Sequence, residues 1–253
     1  MKNYFDLKGK YALVVGASSG LGTQFAKALA DQGANVAIAA RRVERLNDLK
    51  GEIDGMGVKC IAVPCDVSEE ESIKNCVETV EKEFGRIDIL CNNAGIDIFN
   101  DLLEYSTEDW DVTFDTNIRG MFLMSREVGK IMKKQGYGKV INTSSMGGRF
   151  ASAGNIAYYA SKGAVINFTR GLAADLAPYN VTVNSIAPGV FDTELTHDTL
   201  DTPFAKESLA RVPLGRFGKE GELDGILIYF ASDASSYCTG QTLIVDGGST
   251  VIL

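Results

Sequence analysis

VVGASSGLG, residues 14–22, decides the fold of this chain. The run it completes, residues 11–15 (YALVV), is short and apolar and reads as a buried strand, while residues 21–32 carry a helical apolar pattern. A glycine-rich turn between a strand and a helix leaves the first helical N–H groups unpaired, with the positive end of the helix dipole behind them. The glycines Gly16, Gly20 and Gly22 follow a G-x-x-x-G-x-G spacing that permits a tight turn and lets a phosphate approach the backbone. Leu21 lies within the same turn, and Ser18 and Ser19 can add hydroxyl donors. A plain structural turn would also explain three glycines. Their place at the head of a strand–helix–strand series favours a seat for dinucleotide phosphates.

Working outward, the same alternation recurs along the chain. Strands are expected at 11–15, 35–40, 59–63, 87–91, 139–143, 181–186 and 242–246. Helices are expected at 21–32, 43–54, 69–84, about 107–133, 155–178 and 220–232. Strands of about five apolar residues, without a polar face and alternating with helices, are the signature of a parallel sheet covered on both sides. The expectation is an α/β fold in one domain over 1–253, with a doubly wound parallel sheet of about seven strands. Residues 190–217 break the rhythm with Pro203, Pro213 and mixed charges and aromatics, and read as a long loop or flap over a site.

Composition sets the outer limits. The chain has 253 residues, 45% hydrophobic and 23% charged, which is ordinary for a globular protein. Its formal charge of −8 argues against nucleic acid or an anionic membrane as a partner. No apolar run approaches the roughly 18 residues of a membrane span, and the first residues lack a signal-peptide pattern. Cys60, Cys65, Cys76, Cys91 and Cys238 form no CxxC pair, so reduced thiols and a cytoplasmic location are expected, with no metal site. His197 is the sole histidine, which makes serine–histidine catalysis a poor reading.

Two further stretches carry chemistry. The second strand ends in AIAARRVERL, where a site for NAD would place a carboxylate on the ribose diol. Arg41 and Arg42 stand there instead, suited to the 2′-phosphate of NADP, although they could simply be the solvated start of the next helix. NADP(H) is therefore expected over NAD(H). The strand at 139–143 leads into NTSSMGG, and the following helix carries YYASK. Tyr158 and Lys162 are i, i+4 on one helix face, whereas Tyr159 lies about 100° round and is expected to pack or face a partner. A free phenol is a weak base near neutrality, and a neighbouring cation favours its ionised form. A serine at the strand's carboxyl end could hold a carbonyl or alcohol oxygen while the phenol exchanges its proton.

VGASSGLG, CDV (65–67), NNAG (92–95), Asn117 in DTNIRG, Ser145 with Tyr158-x-x-x-Lys162, and APG followed by VFDT (187–193) occur in this order over essentially the whole chain. Together they resemble the short-chain dehydrogenase/reductase family, which implies a Rossmann-type fold and hydride exchange with a nicotinamide cofactor. The resemblance implies that Tyr158 is the acid/base and that Lys162 lowers its pKa and binds the nicotinamide ribose. It implies that Ser145, at the family spacing from the tyrosine, holds the substrate oxygen, and that Asn117 ties Lys162 to solvent through water. Asp66 and Val67 would border the adenine, Asn93, Ala94 and Gly95 the riboses, and Phe191 and Thr193 the nicotinamide amide. A homotetramer is the usual assembly. Val15 stands where the family usually has a threonine bracing the glycine turn, so an effect on stability is expected there. The four-residue Tyr-to-Lys spacing disfavours the enoyl-reductase branch.

FDLKGK, AARRVERL, PGVFDTEL and PLGRFGKEGELDG look most like the gluconate 5-dehydrogenase-like group. That similarity points to a small-molecule alcohol or ketone, either a sugar acid or polyol or else a hydroxysteroid, with 3-ketoacyl thioesters behind. Within 190–217, Leu195, Leu200, Phe204 and Leu209 could line an apolar pocket, and His197, Lys206 or Arg211 could meet a carboxylate. A non-catalytic NADP(H)-sensing module is the reading from another class, and it would be marked by loss of Ser145, Tyr158 or Lys162, all of which are present.

Overall fold

The computed structural model describes residues 3–191, 193, 207 and 209–251. Seven strands form one parallel sheet in the order β3-β2-β1-β4-β5-β6-β7. They are β1 (Tyr11–Val15), β2 (Asn35–Ala40), β3 (Cys60–Pro64), β4 (Ile89–Asn92), β5 (Gly138–Thr143), β6 (Val181–Pro188) and β7 (Thr242–Val245). Helices α1 (Gly20–Asp31), α2 (Val43–Asp54), α3 (Glu70–Phe84), α4 (Thr107–Phe114), α5 (Gly120–Gln135), α6 (Ile156–Leu176) and α7 (Asp224–Ala231) cover it.

Successive residues of a strand point to opposite faces, and here both faces are buried. Ala12, Val14, Val36 and Ile38 pack with Phe25, Leu29, Leu46 and Leu227, which places α1, α2 and α7 on one side. Leu13, Val15, Ala37 and Ala39 pack with Val77, Met124 and Ala173, which places α3, α5 and α6 on the other. A strand with core on both sides has no polar alternation, and that is why the apolar runs alone were enough to locate it.

The sheet order runs outward in both directions from β1 and β4, which lie side by side with Val15 against Asn92. Loops leaving the carboxyl ends of these two strands diverge to opposite faces and open a crevice there, the usual ligand position in such sheets. All seven expected strands form. The expected helix at about 107–133 does not form as one rod: α4 and α5 are joined by a π-helical turn, Asp115–Arg119, with Asn117 buried in it. Single π turns cost regular hydrogen bonding and tend to occur where a side chain must be re-aimed. Most of the 190–217 segment, including His197, Leu195, Leu200, Phe204 and Lys206, lies outside the described residues. Its flanks are tied down by a bridge between Phe191 and Gly218 and by the bond from the Leu214 N–H to the Gly247 carbonyl.

Candidate active site

The crevice is a cavity of about 530 Å³ running from the glycine turn to the start of α6. At one end lie Gly16, Ser18, Ser19, Gly20, Leu21, Arg41 and Arg42, and at the other Ser145, Tyr158 and Lys162. Asp66, Val67, Asn93, Ala94, Gly95, Phe191 and Thr193 line the space between. Gly22 and Asn117 are not on the wall but stand behind it.

At the glycine end the backbone does the work. Gly16 has φ +80°, which a side chain would strain, and a Cβ there would come within 2.6 Å of the Ala94 backbone. A Cβ on Gly22 would lie 2.0 Å from the Gly16 carbonyl oxygen, so α1 can begin this close to the turn only with glycine. The turn hangs from β2 through the Gly16 N–H to the Ala39 carbonyl (2.8 Å). With valine at position 15, Asn93 does the bracing: its backbone N–H bonds the Val15 carbonyl (3.1 Å) and its Nδ2 bonds the Gly16 carbonyl (3.3 Å). Thr143 Oγ1 in turn donates to Asn93 Oδ1 (3.2 Å). Arg42 spans the mouth, with Nε 3.2 Å from Ser18 Oγ and Nη2 2.7 Å from Ser19 Oγ. Guanidinium, two hydroxyls and open backbone N–H groups make a donor set for phosphate.

The other end is built from buried side chains. Along α6, Ala157, Ser161, Lys162, Val165, Ile166, Thr169 and Ala173 recur at three- and four-residue steps and face the sheet. Lys162 is drawn in with them, and its Nζ donates to the Thr143 carbonyl (3.0 Å). Ser144, whose hydroxyl donates to the Lys162 carbonyl (2.8 Å), locks the helix to the end of β5. Ser145 turns its hydroxyl outward, accepts from the Gly147 N–H (3.0 Å) and hydrogen-bonds toward Tyr158. Of the two adjacent serines, Ser145 therefore faces the phenol and Ser144 is structural.

Asn117 is fully enclosed. Its Oδ1 accepts from the Ile96 N–H (2.8 Å), and its Nδ2 donates to the Ile96 carbonyl (2.9 Å) and to Ser161 Oγ (3.0 Å). A Cβ on Gly95 would lie 3.3 Å from both Asn117 Oδ1 and Lys162 Nζ, so both groups crowd the side of Gly95 where a side chain would project. Tyr159 packs as expected: its hydroxyl is 2.7 Å from Ser152 Oγ, and its ring sits near that of Phe150.

Burial pushes the Tyr158 phenol up to about 12, against a lowering by Ser145. Burial also lowers the Lys162 ammonium to about 8, with Asp97 opposing. The Lys162 Nζ is 5.5 Å from the Tyr158 ring centroid, and desolvation is the largest influence on both groups.

Sequence reasoning passed over Asp97 and Asn155. The Asn155 Nδ2 lies 2.8 and 2.7 Å from the two carboxylate oxygens of Asp97. The available signals were an asparagine directly before a helix and an acidic residue directly after NNAGI. Thr143 and Ser161 were also missed; each acts as a brace, with no spacing motif of its own.

A strand–glycine turn–helix phosphate seat joined by one cavity to a serine, a phenol and an ammonium defines the class as a dinucleotide-linked oxidoreductase. The family model described as enoyl-(acyl carrier protein) reductase matches residues 16–250. The chain is 39% identical to gluconate 5-dehydrogenase of Gluconobacter oxydans, over 98% of each. It is 38% identical to a 3-oxoacyl-(acyl-carrier-protein) reductase of Thermotoga maritima, over 97% of this chain and 99% of that one. A solved gluconate 5-dehydrogenase from Burkholderia cenocepacia, in complex with NADP and tartrate, superposes with a TM-score of 0.95 at 36% identity, over 99% of this chain and 98% of that one. The chain belongs to the short-chain dehydrogenase/reductase family of oxidoreductases acting on CH–OH groups.

Proposed function

We propose that this chain interconverts a secondary alcohol and a ketone with NADP(H), and that Tyr158 is the acid/base. The observation that supports it most is the single cavity with Arg42, Ser18 and Ser19 at one end and Ser145, Tyr158 and Lys162 at the other. The residues present fit the cofactor: glycine at 16 and 22 lets the turn close tightly against Ala94 and the start of α1, where a Cβ would strike backbone, and Arg41 and Arg42 line the cavity where a carboxylate would select NAD. When bound, NADP(H) supplies or takes up the hydride.

The remaining work falls to the chain. The glycine turn, Ser18, Ser19, Arg41 and Arg42 hold the phosphates, Asp66 and Val67 border the adenine, and Asn93, Ala94 and Gly95 the riboses. Ser145 donates a hydrogen bond to the substrate oxygen, and Tyr158 gives that oxygen its proton or takes it away. Lys162 places a positive charge beneath, favouring the phenolate as charge develops, and Asn117 clamps the Gly95–Ile96 loop beside Lys162 and ties Lys162 to solvent through water. Phe191 and Thr193 orient the nicotinamide amide.

The full-length likeness to gluconate 5-dehydrogenases supports a sugar acid or polyol as substrate. The likeness to a 3-oxoacyl reductase supports a second reading, reduction of a 3-ketoacyl thioester. Half-exposed Phe150, whose ring lies against Tyr159, and exposed Phe99, against Gly154, support a third, a hydroxysteroid. A homotetramer in the cytoplasm is part of the same proposal. Among the described residues no helix is long and apolar enough to cross a membrane.

The test is absorbance at the reduced-nicotinamide band, with NADP+ and NAD+ against gluconate, sugar alcohols, bile-acid hydroxyls and 3-hydroxyacyl thioesters. Turnover of one class with NADP+ is expected. Cofactor binding with silence across the panel would contradict the enzyme reading and favour a sensing module.

A further inference from the structure

Asp97 is a carboxylate with a fixed position and, among the described residues, no ion pair. The residue before it, Ile96, is clamped at both its N–H and its carbonyl by Asn117. Asn155, buried and three positions before Tyr158, holds both Asp97 oxygens through its Nδ2. The carboxylate is thus fastened between the loop after β4 and the start of α6, the two elements that carry the riboses' expected border and the acid/base. Both oxygens act as acceptors, as the ionised form requires, and each keeps a further lone pair for a hydroxyl donor. Among the described residues no lysine or arginine lies within ion-pair distance of Asp97; burial raises its carboxyl, and the bonds from Asn155 and the more distant Lys162 oppose that rise. Ile96, directly before Asp97, and Tyr158, three positions after its partner Asn155, both line the cavity, which sets the carboxylate beside the catalytic end; its charge also opposes the lowering of Lys162.

A negative charge held beside that end of the cavity acts on any substrate whose oxygen meets the phenol. We propose that Asp97 is a specificity-determining residue that accepts the hydroxyls of an uncharged polyol or hydroxyketone and disfavours substrates carrying a carboxylate nearby. The proposal rests on the oxidoreductase reading above and narrows it. It separates this chain from relatives named for gluconate, an anion. Two like charges a few ångströms apart in a partly buried site weaken binding by about tenfold to a hundredfold.

The experiment uses a matched pair of four-carbon ligands, threitol and tartrate, titrated into the NADP+-loaded protein by calorimetry. The wild type is expected to bind threitol in preference to tartrate. Asp97→Asn is expected to tighten tartrate by about tenfold or more, to alter threitol far less, and to lose that gain in high salt. Unchanged NADPH affinity shows that the variant is folded; should it not fold, Asp97→Ser serves the same purpose. An unchanged tartrate-to-threitol ratio in the variant, or a wild type that prefers tartrate, overturns the proposal. Because binding is read without turnover, a silent substrate panel with a shifted ratio would sink the enzyme reading and leave the Asp97 assignment standing.

Discussion

The two ends of the cavity are built by opposite means. The phosphate end is backbone and exposed charge: a glycine turn, two hydroxyls and two arginines that are open to solvent. The proton end is enclosed side chain: Lys162 and Asn117 are buried, and each is held by partners far away in sequence. A phosphate needs many donors and tolerates water, so the first end can be shallow. A phenol that must change charge needs a controlled surrounding, so the second end is deep, and desolvation there competes with every attraction.

The contrast can be broken at either end. Ser145→Ala should cost the most among the supporting residues, about a hundredfold to a thousandfold in turnover, as expected for a lost donor to a developing oxyanion. Steady-state rates on whichever substrate class responds will check this, and a near-wild-type rate would remove Ser145 from the chemistry. At the exposed end, replacing Arg41 and Arg42 with alanine should lower the NADPH-over-NADH preference by about tenfold to a hundredfold, the scale of one or two charge-assisted bonds. Fluorescence titration with both cofactors gives the ratio, and an unchanged ratio would return the pair to a solvated helix start.

The depth of the proton end also makes a pH prediction. Lys162 is lowered to about 8 in the folded chain, while an unfolded lysine stays near ~10.4. Below pH 8 both states are protonated and burial of the ammonium is a full cost. Between the two values the unfolded state binds a proton the folded state lacks, so stability rises with pH. Tyr158, raised in the folded chain, acts in the other direction only from about pH 10 upward. Denaturant unfolding from pH 8 to 10 should therefore show the wild type gaining on Lys162→Met, by at most ~3 kcal/mol. A gap independent of pH would mean that the ammonium is not desolvated. The smallest effect belongs to Tyr159→Phe, which loses the bond to Ser152 and about 1 kcal/mol of stability. Its turnover should match the wild type.

The same contrast explains how much was legible in the residues. The sheet was, because strands buried on both faces announce themselves as apolar runs such as residues 35–40. The phosphate end was too, because a glycine turn between strand and helix is local and Arg42 comes at the end of the next strand. Tyr158 and Lys162 could be paired from helical spacing alone. What surrounds them could not. The helix expected across 107–133 contains nothing that signals the π turn at Asn117, since that turn exists to reach Ile96 and Ser161, 21 and 44 residues away. The Asp97–Asn155 contact spans 58 residues. Spacing also showed a cation near the phenol without showing that both groups are buried.

The central claim is that one cavity binds NADP(H) through the glycine turn and moves a proton through Tyr158. Its most direct test is Tyr158→Phe, with NADPH binding and turnover measured on the same sample. Retained binding with turnover reduced by about a hundredfold or more is the predicted result. A variant that binds NADPH and turns over like the wild type would contradict it, and the acid/base would have to be sought elsewhere in the cavity.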